Sequence, residues 1–306
     1  MATPIVFFGN ERLATGVTTT APTFRQLLRA KYDIRALVIN NEPTVSRNHS
    51  RPEIVSLAED YGVPVVIPEK LRDIMDILVR CHATVGVLAA YGKMVPQSII
   101  DIFPSGIVNI HPSLLPLHRG PTPIESAILD GNEKTGVSLM QLVKAMDAGH
   151  VYAYRDISLN DTQSKQEIAD QLGSLGANML TTLLPHIING EVRGESQDDH
   201  MATYDNLIVK DEGVLDWNKP ARRLEREVRA YLGWPQSHTT LGKNSVIITE
   251  AHAEVGGGRP GKLLLRDKSL GVYTSEDILI IDRLKPIGKS DMSIAAFLNG
   301  YHDGLY

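Results

Sequence analysis

Cysteine is almost absent from this sequence of 306 residues, which contains only Cys81. A single thiol excludes an intramolecular disulfide and indicates a reducing compartment. No apolar run approaches the roughly 20 residues that span a bilayer. The N-terminal stretch MATPIVFFG has neither a basic region nor a long apolar segment, which argues against a signal peptide. We therefore expect a cytoplasmic protein with no membrane partner.

Several ligand-binding motifs are also missing. The stretch GNERLATG is not the G-x-G-x-x-G pattern of dinucleotide sites, and no phosphate-loop pattern or nucleophile elbow occurs. No cysteine and histidine cluster has zinc spacing, so we predict no metal site. The net charge of −5 excludes a bulk polycation that would bind nucleic acid through its overall charge. A binding or catalytic function must therefore come from a local constellation of residues.

Apolar strand patterns alternate with helical patterns through the first two-thirds of the chain. Strands are predicted near 5–9, 34–40, 84–90 and 106–111, and helices at 20–31, 51–62, 69–82 and 164–190. Thr20 is the expected cap of the first of these helices. This alternation predicts an α/β domain with a Rossmann-like, mostly parallel sheet. Ligands of such domains bind at the carboxyl ends of the strands.

The pattern changes after a polar, irregular stretch at 190–209. A helix is predicted at 220–233, followed by short strands separated by turns, which is typical of a small β-barrel. We therefore predict three parts: an α/β domain over 1–189, a linker over 190–209 and a barrel domain over 210–306.

One face of the helix predicted at 220–233 is basic. Arg222, Arg226 and Arg229 recur with helical spacing, opposite an apolar face. These side chains either contact phosphates or form a solvated face that pairs with neighbouring glutamates. The sequence leaves both interpretations open.

The stretch VNIHPSLLPLHRG at 108–120 carries the strongest site signal. Asn109 and His111 are two residues apart on a predicted strand, so their side chains point to the same face. The two prolines that follow stiffen a loop whose apolar residues are Leu114 and Leu115. A rigid apolar ledge beside two polar groups is typical of a small-molecule site, although a strand end with polar side chains can also simply be hydrated.

Asp147 is the candidate carboxylate for the same cluster. It follows another predicted strand and precedes Ala148 and Gly149, a pattern that predicts a tight turn. Aspartate before glycine is also a common turn former, so a purely structural role stays possible from the pattern alone.

The segment at 108–151 resembles the core of the folate-dependent formyltransferases. The resemblance rests on the Asn-x-His pair, the SLLP loop and the later Asp-x-Gly, and it extends over nearly the whole chain. LAAYGKMVP at 88–96 and the stretch at 202–235 are similar to the members of the family that act on methionyl initiator tRNA. At the N-terminal turn, FFGNERLA stands where the family usually has Ala-Gly-Thr-Pro.

The resemblance implies a Rossmann-like domain, an OB-like C-terminal barrel, 10-formyltetrahydrofolate as donor and methionyl initiator tRNA as acceptor. It implies a catalytic trio of Asn109, His111 and Asp147. The folate-binding residues that it implies are Ser113, Leu114, Leu115, Pro116, Leu88, Ala90 and Tyr91. The candidate tRNA-binding residues are Arg47, Arg51, Arg222, Arg226 and Arg229.

Formyl transfer fits these residue types. A hydrogen-bond donor is needed where negative charge develops on the formyl oxygen, and Asn109 or a protonated His111 can supply that hydrogen bond. A base must take a proton from the attacking amine, and either His111 or Asp147 can serve. Two other hypotheses stay open: a formyltransferase that acts on an amino-sugar nucleotide, and a non-catalytic tRNA-binding protein. The fold does not demand a dimer, and we expect a monomer.

Overall fold

The computed structural model describes residues 3–40, 52–301 and 304–305. Its larger sheet has seven strands: β1 (Pro4–Phe8), β2 (Asp33–Val38), β3 (Val65–Val66), β4 (Val85–Ala89), β5 (Ile107–His111), β6 (Lys134–Gln141) and β7 (Val151–Ser158). They lie in the order β3-β2-β1-β4-β5-β6-β7. The first five are parallel to one another, and β6 and β7 run antiparallel to their neighbours. The prediction of a Rossmann-like, mostly parallel sheet is therefore confirmed.

Helices cover both faces of this sheet. They are α1 (Pro22–Arg29), α2 (Glu53–Asp60), α3 (Met75–Arg80), α4 (Gln97–Ile100), α5 (Pro123–Asp130) and α6 (Lys165–Ile188). Along β1, Ile5 and Phe7 pack into a core with residues of α1 and α6, whereas Val6 and Phe8 pack into a second core with residues of α3 and α4. Because both faces are buried, β1 and β4 are apolar along their whole length rather than at alternate positions.

The start of α1 differs from the expectation. Thr20 was predicted as its cap, but the helix begins at Pro22 with no side-chain cap from the residue that precedes it. The buried carboxylate of Glu11 instead accepts hydrogen bonds from the main-chain N–H groups of Thr23 and Phe24. A side chain distant in sequence thus satisfies the free N–H groups at the helix start. The Thr20 prediction was wrong because local pattern cannot reveal such a tertiary cap.

The C-terminal part forms a separate antiparallel sheet with its own core. Its elements are α7 (Ala221–Ala230), β8 (His238–Leu241), β9 (Asn244–Glu254), β10 (Leu263–Arg266), β11 (Ser269–Tyr273), β12 (Ile278–Pro286), β13 (Met292–Ser293) and α8 (Ile294–Tyr301). The strand order is β10-β11-β12-β9-β8, and β13 pairs with β12. Register shifts on β12 near Arg283 help to curl this sheet. The predicted OB-like barrel is confirmed.

The two sheets are joined through α7, whose arginines contact the first domain. Nη1 of Arg223 donates a hydrogen bond of 2.6 Å to the carbonyl of Leu129 at the end of α5. The guanidinium of Arg226 lies directly against Gly131, where a Cβ atom would stand 2.0 Å from its central carbon. Nη1 of Arg229 donates to the carbonyl of Gln163, ahead of α6, at 3.1 Å. The arginine face of α7 is therefore largely an interface within the chain.

The segment predicted as a linker at 190–209 lies along the first domain. It makes isolated β-bridges between Glu195 and Val151 and between Tyr204 and Arg119. A short 3₁₀ turn, Asp199–Met201, separates the two bridges. The division of the chain at 189 and 209 stays a prediction, but this segment packs against the catalytic side of the sheet.

Candidate active site

Asn109, His111 and Asp147 come together at the carboxyl end of β5. All three line one cavity of about 590 Å³. Nδ1 of His111 lies 3.8 Å from Oδ2 of Asp147. The cavity also borders the residues that follow β1 and β4, the point at which the strand order reverses. This is where the topology of an open α/β sheet leaves a crevice for a ligand.

The imidazole of His111 is held in one orientation by a main-chain carbonyl. Its Nε2 lies 2.9 Å from the carbonyl oxygen of His118. A carbonyl can only accept, so Nε2 carries the proton and, in the neutral ring, Nδ1 has the free lone pair. That lone pair is on the side of Asp147. The ring is therefore arranged to accept a proton at Nδ1 and to pair with a carboxylate once it is charged.

Asp147 is held in a strained turn after β6. Its φ of 46° is in the left-handed region, which a non-glycine residue rarely adopts. The N–H of Gly120 donates to Oδ2 of Asp147 at 2.8 Å. The side chain of Gln197 donates to the carbonyls of Asp147 and Gly149 at 2.7 and 2.8 Å. Contacts from outside the turn thus hold the carboxylate next to His111.

The carboxamide of Asn109 is buried but unused by the protein. Asn109 is only 5% exposed, and its strand neighbours are Leu88 and Met140. Within the part of the chain that the structure describes, its side chain has no hydrogen-bond partner. The side chain borders the open space of the cavity. The amide is thus available to a ligand oxygen in the cavity.

The cavity wall is largely apolar, and two of the segments that form it follow β4 and β6. Leu88, Ala90 and Tyr91 line it, and their contact with a folate stays a prediction. Ala90 and Gly92 have positive φ values of 50° and 74°, so the chain turns sharply over the cavity after β4. Burial raises the pKa of Tyr91 to about 12, which keeps its hydroxyl neutral. A further part of the wall, which the sequence did not reveal, is formed by Leu142, Val143, Ala145 and Met146.

The loop of Ser113, Leu114, Leu115 and Pro116 is not among the residues that line the cavity. Oγ of Ser138 on β6 donates to the carbonyl of Ser113 and accepts from the N–H of Leu115. Leu114 packs against Gly136, where a Cβ atom would stand 2.5 Å from Cδ2 of Leu114. The loop therefore braces the strand that leads to Asp147. Contact between this loop and a folate stays a prediction.

Other residues at the cavity were not found by sequence reasoning. They come from the end of β1 and from the predicted linker, and are Asn10, Arg12, Leu13, Asp205, Asn206 and Leu207. The first three follow a strand at the reversal of strand order, so topology could have indicated them. The last three lie in a polar segment whose pattern carries no such signal.

The candidate tRNA-binding arginines have different surroundings. Arg47 and Arg51 lie outside the described residues. The side chain of Arg222 is 62% exposed and is 3.6 Å from Glu225 and 3.9 Å from Asp161. The interface contacts of Arg226 and Arg229 leave Arg222 as the most accessible of the three on α7. Contact with tRNA stays a prediction for all of them.

The described part of the chain has neither a metal-binding cluster nor a membrane-spanning helix. Over 3–40, 52–301 and 304–305, no group of three or more histidine, cysteine, aspartate or glutamate side chains is placed to hold a metal ion. In the same ranges, the helices are too short or too polar to cross a bilayer.

Comparison with known proteins identifies relatives over almost the whole chain. The family model Formyl transferase matches residues 16–184, and the model Formyl transferase, C-terminal domain, matches 207–302. A methionyl-tRNA formyltransferase of Listeria monocytogenes is 32% identical over 97% of this chain and 96% of its own length. One of Roseiflexus castenholzii is 33% identical, covering 98% of this chain and 96% of its own.

Solved structures with low sequence identity share the fold. HypX from Aquifex aeolicus in complex with tetrahydrofolic acid matches with a TM-score of 0.65 and 17% identity, covering 100% of this chain and 48% of its own. An N-formyltransferase from Helicobacter canadensis, with folinic acid and dTDP-3-aminofucose, matches with a TM-score of 0.69 and 14% identity. It covers 91% of this chain and 98% of its own. At these identities the likeness concerns the fold alone.

Proposed function

Because the chain belongs to the formyl transferase family, we propose that it transfers a formyl group from 10-formyltetrahydrofolate to the α-amino group of methionyl initiator tRNA. The product, formylmethionyl-tRNA, serves translation initiation in the cytoplasm. Support for this acceptor comes from relatives of that name that match both parts of the chain at 32 to 33% identity. The observation that carries the chemistry is the meeting of Asn109, His111 and Asp147 in one cavity. We assign catalysis to 1–189 and tRNA binding to 210–306, and expect a monomer.

The cavity suits a folate. Its volume of about 590 Å³ is within the range of small-molecule sites, and most of its wall is apolar. We assign binding of the flat pterin ring to Leu88, Ala90 and Tyr91, with Leu142 and Val143 on a further part of the wall. The folate supplies the formyl carbon. The loop of Ser113, Leu114, Leu115 and Pro116 bonds to β6, and its contact with the folate is part of this proposal.

Asn109 is assigned to the formyl oxygen. Negative charge develops on that oxygen as the acceptor nitrogen bonds to the formyl carbon, and a fixed N–H donor stabilises it more than it stabilises the starting carbonyl. The amide of Asn109 needs no reorganisation for this task, because no other group in the described chain uses it. Loss of one such donor typically costs about 3 kcal/mol of barrier.

His111 is assigned as the base. Its Nε2 proton is committed to the carbonyl of His118, so the lone pair of Nδ1 is available to the proton that the acceptor nitrogen must lose. Oδ2 of Asp147, at 3.8 Å, then stabilises the imidazolium. The same proton can return to the folate nitrogen that leaves. No covalent bond between the protein and the formyl group is needed.

The test is formylation by the purified full chain with 10-formyltetrahydrofolate. Methionyl initiator tRNA and an amino-sugar nucleotide are compared as acceptors at equal concentration. Formylation of the tRNA alone supports the proposal, whereas preference for the sugar establishes the alternative. Turnover of neither acceptor, together with tight tRNA binding, would instead support a non-catalytic RNA-binding protein.

A further inference from the structure

We propose that Gln197 and Arg119 are positioning residues that hold the catalytic carboxylate in place, and that the segment between the two domains is therefore part of the active site. This inference rests on the proposed function, since it assigns Asp147 a role in catalysis. It starts from the turn that carries Asp147. The left-handed φ of this residue has to be maintained by its surroundings.

The carboxamide of Gln197 is fully used, with one end on the turn and the other on Arg119. Its Nε2 donates to the carbonyls of Asp147 and Gly149. Its Oε1 accepts from Nε and Nη2 of Arg119 at 3.0 and 2.8 Å. The opposite orientation of the amide would put its oxygen against two carbonyls and its nitrogen against a guanidinium. The contacts therefore allow only one orientation.

Arg119 fixes Gln197 from a buried position. Arg119 is only 1% exposed, and its Nη1 donates to the hydroxyl of Tyr204 at 2.7 Å. The main chain of Arg119 also bonds to the segment that contains Gln197 and Tyr204. Its N–H donates to the carbonyl of Thr203 at 2.9 Å, and its carbonyl accepts from the N–H of Asp205 at 2.8 Å. We call residues 197–205 the strap. The strap and Arg119 form one hydrogen-bonded unit.

Three consecutive residues connect this unit to both catalytic groups. The carbonyl of His118 accepts from His111, Arg119 holds Gln197, and the N–H of Gly120 donates to the carboxylate of Asp147. Asp147 is thus held at its side chain by Gly120 and at its main chain by Gln197. If Gln197 releases the main chain, the carboxylate should move relative to His111, which matters because displacements of about 1 Å can cost a factor of about 100 in rate.

The informative variant is Gln197→Glu, because it separates two roles. Glutamate has the shape of glutamine and pairs with Arg119 at least as well, so the strap stays attached. It has no N–H for the carbonyls of Asp147 and Gly149. Gln171→Glu, an exposed glutamine of α6, is the matched control for the added charge. Gln197→Asn, one carbon too short to span both contacts, is a second variant in case Gln197→Glu is unstable.

Two readouts are expected to change together. In Gln197→Glu, kcat should fall by about tenfold or more, while KM for the folate changes by less than about threefold, since only the positioning of Asp147 is lost. Hydrogen exchange of the Gly120 amide should become faster, while that of the Arg119 amide, which reports the strap, should not. Gln171→Glu should match the wild type in both.

The outcomes distinguish this inference from the proposed function. A kcat within twofold of the wild type, or unchanged exchange at Gly120, would overturn the positioning role and leave Gln197 as a structural anchor only. Hydrogen exchange is measured without substrate, so it judges the contact between Gln197 and the turn even if the wild type formylates no acceptor. That last result would overturn the proposed function instead.

Discussion

Replacing Asp147 by asparagine removes one negative charge from the candidate active site with little change in shape. The asparagine oxygen can still accept the hydrogen bond from Gly120, so the turn should be kept. The charges of His111 and Asp147 lie 3.8 Å apart, and the two side chains are only 5% and 16% exposed. At an effective dielectric constant of about 20, two unit charges at this distance attract by about 4 kcal/mol.

The expected result is a loss of turnover rather than of binding. If His111 takes the amine proton, its positive charge develops in the transition state, so loss of the carboxylate should raise the barrier by up to about 4 kcal/mol. This corresponds to a decrease of about 10³ in rate, and water at the cavity mouth should reduce the decrease to between about 10² and 10³. KM for the folate should hardly change, because the residues assigned to the pterin ring, Leu88, Ala90 and Tyr91, are not altered.

Single-turnover formylation with saturating donor measures this step directly. Melting temperatures of wild type and Asp147→Asn show whether the fold is retained. Asp60→Asn, which removes an exposed carboxylate at the end of α2, away from the cavity, is the control for a general change in charge. If Asp147→Asn lowers the single-turnover rate by less than about fivefold, or no more than the control does, the assigned ion pair with His111 is refuted.

Five further substitutions test other parts of the structure. Asn109→Ala should lower the single-turnover rate about 100-fold, by loss of the donor to the formyl oxygen; a rate near that of wild type contradicts the assignment. Leu142→Asp places a charge on the cavity wall, so calorimetry should show weaker folate binding. Leu115→Asp should weaken folate binding as well only if the loop at 113–116 contacts the folate. Burial raises the pKa of Glu11 from an ordinary 4.5 to about 8, so the stability that its protonated form contributes is complete below pH 4.5 and is lost as the pH rises through 8. In thermal unfolding, the wild type should therefore lose up to about 1.4 kcal/mol of stability per pH unit between pH 5 and 8, and Glu11→Gln should abolish that slope. Parallel stability curves for the two proteins would exclude the raised pKa. Arg222→Ala should flatten the dependence of log tRNA affinity on log salt by about 0.9 if this side chain contacts one phosphate, and an unchanged slope excludes that contact.

The order of strands and helices along the chain could be predicted because it depends on local periodicity. The same holds for the polar pair on β5. Asn109 and His111 share a face of a strand whatever surrounds them, since side chains alternate with period two. The tight turn at Asp147 was likewise predicted from the glycine that follows it. The helices and strands of both domains follow from the same local periodicity of apolar residues.

Contacts between distant segments could not be predicted in this way. Glu11 replaces Thr20 at the start of α1, and the arginine face of α7 packs against the first domain, because hydrogen-bond partners and burial depend on what the folded chain brings near. The tautomer of His111 depends on the carbonyl of His118, and the placement of Asp147 depends on Gln197, which is 50 residues away.

The sequence by itself determined the fold class, the polar pair on β5 and the carboxylate that follows β6, because residue type and spacing act over short distances. Only the tertiary structure decided that these groups line one cavity, with His111 and Asp147 3.8 Å apart, and that Gln197 bonds to the turn of Asp147. The physical reason is that a hydrogen bond or an ion pair requires atoms to be placed within a few tenths of an ångström. Packing of the whole chain sets those distances, and no local pattern of residues contains them.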